Sequence, residues 1–173
     1  MANDQPLRVS VVIPVFNGAE SLPDVVEEFA HYTEPRSTPK GREFKITEVI
    51  LVWDRGSDAS AEALRNLDEG HGFVRTIWLS RNFGQHAATL AGMTSSDGDW
   101  IITVDEDGQQ DPAFIGSMLD RAFDTGSPLV YAQPTNAAPH GGLRNLASNI
   151  TKWFFLKVLS DSDFTEFNSY RLI

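Results

Sequence analysis

The chain contains no cysteine, which excludes disulfides and thiolate-held metals and suits a reducing compartment. It is also poor in basic residues. Fourteen Lys and Arg against 24 Asp and Glu leave a formal net charge of −10. That balance argues against a nucleic-acid partner, because phosphate contacts need clustered cations. It is compatible with a metal-dependent site for a phosphorylated small molecule, where the ion reverses the local sign. No apolar run approaches the roughly 18 residues of a membrane span, and the opening MANDQPLRVS lacks the core of a signal peptide. The expectation is a cytoplasmic chain that does not cross a membrane. The four histidines show no ligand spacing, and no repeat or low-complexity tract is visible. What is present, 41% hydrophobic and 22% charged residues over 173 positions, fits one globular domain and is too little for two.

The most informative stretch is WIITVDEDGQQDP, from Trp100 to Pro112. Trp100 to Val104 is a short, β-branched apolar run between Asp97-Gly98 and Gly108, the pattern of a buried strand. Asp105, Glu106 and Asp107 follow without a break, and Asp111 comes four residues later. Carboxylates crowded at the end of a buried strand repel one another, so a cation is expected there. A hard divalent ion on oxygen ligands, Mg2+ or Mn2+ with Asp105 and Asp107 as its carboxylates, is the economical candidate. The plain alternative is an acidic loop that caps the helix beginning at Pro112.

Along the chain, strands are expected at Val9–Phe16, Phe44–Trp53, Phe73–Leu79, Trp100–Val104 and Leu129–Ala132. Helices are expected from Ser21, as N-cap with Asp24 in a capping-box variant, to about His31, and from Ser60, as N-cap, to Gly70. A small-residue helix suited to close packing on a sheet should run from Gln85 to about Ser95, and another from Pro112 to Asp124. Thr33–Arg42 and Gln133–Gly142 read as loops, and Leu143–Leu159 as a helix with a heavy apolar face. Strands alternating with helices imply an α/β fold, a mostly parallel sheet with helices on both faces. Ligands then bind beyond the carboxyl ends of the strands. Asn17, Asp54 with Asp58, Arg81 with Asn82, and Asp105 with Asp107 each follow a predicted strand, so four loops should converge on one rim.

Together the stretches VVIPVFNGAES, LVWDRGSDAS, LSRNFGQHAATLAGM, VDEDGQQDPAFI and SYRLI resemble family 2 glycosyltransferases of the GT-A (Rossmann-like) fold. The branch similar to dolichyl- and polyprenyl-phosphate sugar synthases fits best. The resemblance spans about Val9 to Ile173 and implies one glycosyltransferase domain over 1–173, cut short at its C-terminus relative to longer relatives. It implies that Pro14, Phe16 and Asn17 after the first strand, with Glu20 nearby, hold the nucleotide. Asp54 would bond the base, Arg81 would line the nucleotide-sugar site, and Gln109 would contact substrate. Asp105 and Asp107 form the D-x-D pair that holds the metal, Asp107 most directly. Arg144 and Arg171 would face the diphosphate or an acceptor phosphate.

The chain departs from the family pattern in places. Trp53 and Arg55-Gly56 stand where a second Asp and Gly-Ser are usual, Gly18 replaces a glutamate, and Pro134 replaces an arginine. Ser169 stands where many members carry an aspartate, which leaves the identity of a general base open, with Asp163 and Glu166 as the other candidates.

The implied reaction is inverting transfer of a sugar from a UDP- or GDP-sugar donor. The acceptor would be a lipid phosphate or a glycan. A phosphate acceptor is already anionic and needs no base, so Ser169 suits a polyprenyl phosphate. The lysine-flanked apolar segment Lys152–Leu159 is an ordinary core helix or a peripheral contact with the inner membrane face. Two other functions compete. One is a nucleotide-sugar-binding remnant without turnover. The other is a haloacid-dehalogenase-type phosphatase, whose D-x-D-G would have to follow the first strand.

Overall fold

A computed structural model of the chain describes residues 5–56, 59–132 and 169–173. Strand β1 (Leu7–Val15) lies inside the sheet, and every residue from Val9 to Val15 is buried. A strand covered on both faces has no polar side to present, hence the unbroken VSVVIPV run. β1 pairs in parallel with β3 (Glu43–Trp53) on one side and with β5 (Trp100–Thr103) on the other. β4 (Val74–Trp78) adds a parallel strand outside β3. β2 (Arg36–Ser37) runs antiparallel to the start of β3, inside the stretch expected to be loop. One register shift, at Thr47, separates the pairs Val9–Ile46 and Ser10–Glu48.

Beyond β5 the sheet turns antiparallel. β7 (Arg171–Leu172) pairs with β5, and β6 (Val130–Tyr131) pairs with β7. Among the described residues the order is therefore β3-β1-β5-β7-β6, with β2 and β4 both on β3. The terminal SYRLI stretch, read only as a motif, supplies a strand that separates β6 from β5. The sheet is mixed, with a parallel centre.

Helices α1 (Leu22–Ala30), α2 (Ser60–Gly70) and α4 (Ile115–Thr125) pack on one face of the sheet, where Val26, Phe29, Leu64 and Leu119 meet Val11, Ile13 and Leu51. Helix α3 (Gln85–Thr94) covers the other face, where Ala88 meets Val12, Ile50 and Val52. Its closeness is enforced by Gly92, where an added Cβ would sit 2.3 Å from Val12 Cγ1. No helix among the described residues is long and apolar enough to cross a membrane.

Three helix starts differ in detail from expectation. Ser21 is the N-cap of α1, as expected, but without the side-chain bond of a capping box; its hydroxyl donates to the Glu106 carbonyl at 2.5 Å. Ser60 is the first residue of α2, and Ala59 takes the cap position. The Ser60 hydroxyl instead accepts from the Gly18 amide at 3.0 Å. Both serines tie elements together across the fold. The helix expected at Pro112 begins as a single 3-10 turn (Pro112–Phe114), with Asp111 accepting from the Ala113 amide at 2.8 Å, before α4 proper.

Candidate active site

The carboxyl ends of β1 and β3 lie level with one another, and β5 ends beside Val12, three residues before the end of β1. Val15 pairs with Trp53, the Asp54 amide donates to the Val15 carbonyl at 2.8 Å, and the Val104 amide donates to the Val12 carbonyl at 3.1 Å. The loops that follow are thereby delivered to one rim. Between them lies a cavity of about 520 Å³, lined by Pro14, Val15 and Phe16 from the end of β1 and by Asp54 after β3. Asn82, Gly84 and Gln85 close it from the start of α3, and Asp105, Glu106 and Asp107 from the end of β5. That volume is typical of a small-molecule cleft.

Asp54 is buried, and both of its oxygens are in use. They accept from the backbone amides of Phe83 and Gly84 at 2.7 and 2.8 Å. An aspartate two residues from a turn is easily read as a ligand-binding group; this one first of all holds the loop that opens α3. Arg55 follows with φ +53°, in the left-handed region, and its guanidinium donates to the Ser80 carbonyl at 2.7 Å. Gly56 has no alternative here, because a Cβ would lie 1.4 Å from the Phe16 carbonyl oxygen.

The acidic triplet divides into three different jobs. Glu106 accepts from the Phe16 amide at 2.8 Å and from the Asn17 amide at 3.1 Å, bracing the end of β1. Asp105 accepts from Gln85 Nε2 at 2.7 Å on one oxygen. Its other oxygen accepts from Gln110 Nε2 at 2.9 Å and from the Ser169 hydroxyl. Asp107 is exposed, and it accepts from the Gln109 amide at 3.1 Å. The crowding of like charge that seemed to demand a cation is thus largely answered by amides and hydroxyls for two of the three carboxylates. Among the described residues no three His, Asp or Glu side chains gather into a metal cage. An Mg2+- or Mn2+-like ion needs no such cage, since one or two carboxylates together with substrate phosphates suffice. Asp107, with Asp105 beside it in the cavity wall, fits an ion shared with a bound diphosphate.

Of the residues singled out from the sequence, the cavity brings together Pro14, Phe16, Asp54, Asn82, Asp105 and Asp107. Asn17, Glu20, Arg81, Gln109 and Arg171 do not line it. Asn17 and Arg81 each adjoin a lining residue, Phe16 and Asn82. The Asn17 backbone is taken by Glu106, and the Arg81 guanidinium lies 4.7 Å from the centre of the Phe83 ring. Arg171 lies on β7, where its Nε donates to Thr103 Oγ1 at 3.2 Å. Arg144, Asp58, Pro134, Asp163, Glu166 and the 152–159 segment fall outside the described residues. Sequence reasoning missed Gln85, Gln110 and the partnership of Ser169 with Asp105. Neutral side chains far apart in the chain carry no spacing signal; the Gln109-Gln110 pair after the triplet was the only hint.

Residues 10–170 match the family described as glycosyl transferase family 2. The undecaprenyl-phosphate 4-deoxy-4-formamido-L-arabinose transferase of Salmonella choleraesuis is 40% identical over 121 residues, 68% of this chain and 35% of that protein. The Pseudomonas paraeruginosa protein of the same name is 44% identical over 115 residues, 66% of this chain and 32% of that one. The chain therefore spans about a third of the length of the curated relatives it matches. Among solved structures, the mannosyltransferase PcManGT from Pyrobaculum calidifontis, in complex with GDP-Man and Mn2+, superposes with a TM-score of 0.61 at 18% identity, over 75% of this chain and 36% of that one. S. aureus TarS in complex with UDP-GlcNAc gives a TM-score of 0.57 at 14% identity, over 78% and 36%. These likenesses establish the GT-A fold, and the match over residues 10–170 establishes the lineage: the chain belongs to glycosyl transferase family 2.

Proposed function

We propose that the chain is the donor-binding and catalytic region of an inverting glycosyltransferase that moves a sugar from a UDP- or GDP-sugar to a polyprenyl phosphate. One observation carries this reading. Pro14, Phe16 and Asp54 share a single cavity of about 520 Å³ with Asp105 and Asp107, which supports assigning the base to the first three and the diphosphate to the last two. The named activity of the curated relatives supports the acceptor class. The nucleotide-sugars in the superposed structures support the donor class.

In this reading Phe16, exposed at the end of β1, offers an apolar surface to the base, and Asp54 shapes the loop that closes over it. Asp107 and Asp105 would hold a divalent ion. When bound, that ion supplies Lewis-acid stabilisation of the charge that gathers on the departing diphosphate. Four acidic side chains line the cavity, and no Lys or Arg does among the described residues, so the diphosphate is accommodated only with a cation present. Arg81, Arg144 and Arg171 are the chain's candidates for further positive charge, and Gln109 and Glu20 for peripheral contacts to donor or acceptor. A phosphate acceptor attacks as an anion without surrendering a proton. That leaves Ser169 at liberty to serve Asp105 rather than act as a base. A polyprenyl-phosphate acceptor also places the chain against a membrane surface.

A thermal-shift screen with UDP, GDP, CDP and dTDP in the presence and absence of Mn2+ is the first test, because a ligand of the folded state raises its stability. UDP or GDP should raise the melting temperature only with metal. Radiolabelled donor and undecaprenyl phosphate in detergent then test transfer. No shift with any nucleotide would dispose of the reading. Binding without transfer or donor hydrolysis would reduce the chain to a binding module.

A further inference from the structure

The Asp105 carboxylate is gripped from both sides. Gln110 Nε2 at 2.9 Å and the Ser169 hydroxyl hold one oxygen, while Gln110 Oε1 accepts from the Asp105 amide at 3.0 Å. The opposite oxygen has one protein donor among the described residues, Gln85 Nε2 at 2.7 Å. Gln85 opens α3, and the start of α3 is pinned by Asp54 through the Phe83 and Gly84 amides at 2.7 and 2.8 Å. A continuous hydrogen-bonded path thus runs from Asp54 through the 83–84 backbone and Gln85 to Asp105. Gln85 has no packing duty to explain it. It is exposed, and α3 is seated on the sheet by Ala88, Thr89 and Gly92.

The terminal torsion of an aspartate is broad and has no sharp staggered well, so a carboxylate held at one oxygen can swing. Holding both oxygens fixes its plane. We propose that Gln85 is a positioning residue: it sets the orientation of the Asp105 carboxylate in the cavity and couples it to the loop held by Asp54. The proposal rests on the reading of this cavity as a metal and nucleotide site.

The test is Mn2+ binding, followed by the free-ion signal in electron paramagnetic resonance, alone and with UDP or GDP, for the chain and its variants. Urea midpoints serve as a check on folding. Gln85→Ala should weaken nucleotide-dependent Mn2+ binding on the order of tenfold, the usual consequence of removing a group that orients a ligating carboxylate. It should add nothing further in an Asp105→Asn background, because the effect passes through Asp105. Gln85→Met, which keeps the length of the side chain and loses its N–H donor, should weaken binding as much as Gln85→Ala. Unchanged binding in Gln85→Ala overturns the proposal, as does an equal loss in the Asp105→Asn background. Binding by Gln85→Met equal to that of the unsubstituted chain also overturns it, because the hydrogen bond to Asp105 would then be dispensable. If Asp105→Asn abolishes binding outright, the agreement of the alanine and methionine variants decides. Failure of the unsubstituted chain to bind Mn2+ with either nucleotide would overturn the functional reading, and this inference with it.

Discussion

Three adjacent carboxylates, Asp105, Glu106 and Asp107, look interchangeable as letters and differ entirely in what holds them. Glu106 receives two backbone amides from the turn after β1, and its oxygen lies 2.7 Å from where a Cβ on Gly18 would be. That near contact gives a reason for glycine at position 18. Asp107 is exposed and meets one neighbouring amide. The two should therefore respond to substitution in opposite ways. Glu106→Ala leaves the Phe16 and Asn17 amides to find water and should lower stability by about 1–2 kcal/mol. Asp107→Asn should leave stability within about 0.5 kcal/mol, as for exposed sites generally. It should nonetheless abolish the Mn2+-dependent component of UDP or GDP binding. Urea unfolding and calorimetry on the two variants separate these outcomes.

At the scale of elements, α3 connects sequence to site most directly. Its run of Ala, Thr and Gly predicted close packing, and Gly92 is where that closeness is decided. Gly92→Ala gains helix propensity of about 1 kcal/mol. It also drives a methyl group to 2.3 Å from a Val12 side chain that is fully buried and has nowhere to go. Overpacking of that kind costs about 1–3 kcal/mol, so the variant should be destabilised on balance. Gly70→Ala, with nothing within 4 Å, should be neutral or slightly stabilising by the same thermal-melt comparison.

The element order was readable because long strands and amphipathic helices declare their period. Ser60 misled because a hydroxyl at the start of a helix can also bond a distant loop; Ser21 holds the cap position and spends its hydroxyl the same way. β7 was invisible as a strand, since two residues carry no alternation to read. The cavity's acidic wall was legible from clustering at a strand end. Its glutamine supports were not, because Gln85 and Asp105 are 20 residues apart and meet only through the fold.

For the whole molecule, the excess of negative charge and two well-bonded carboxylates pull stability in different directions as pH falls. Protonation towards the pI of about 4.7 relieves self-repulsion, which favours the folded chain. Glu48 and Asp120 oppose this at lower pH. Burial raises the Glu48 carboxyl, but the Asp97 amide, the Ser10 hydroxyl and Arg75 outweigh it and leave it below its ordinary value. Burial likewise raises Asp120, and the Thr38 hydroxyl, the Lys40 amide and Arg42 bring it below the usual range. One links β3 to β1, β4 and the loop before β5; the other ties α4 to the β2–β3 hairpin.

A carboxylate depressed by folding contributes stability that is fully present above its unfolded pKa, about 4, and is lost as pH falls through the folded value. The urea midpoint should therefore hold or rise from pH 8 to about 5 and drop below about 4. Glu48→Gln and Asp120→Asn should each lower the midpoint at pH 7, where the bonded carboxylate is intact. Each variant's deficit against the unsubstituted chain should then shrink towards pH 3. A deficit that stays constant across that range would mean that these two groups act through packing alone and leave the acid limb to other carboxylates.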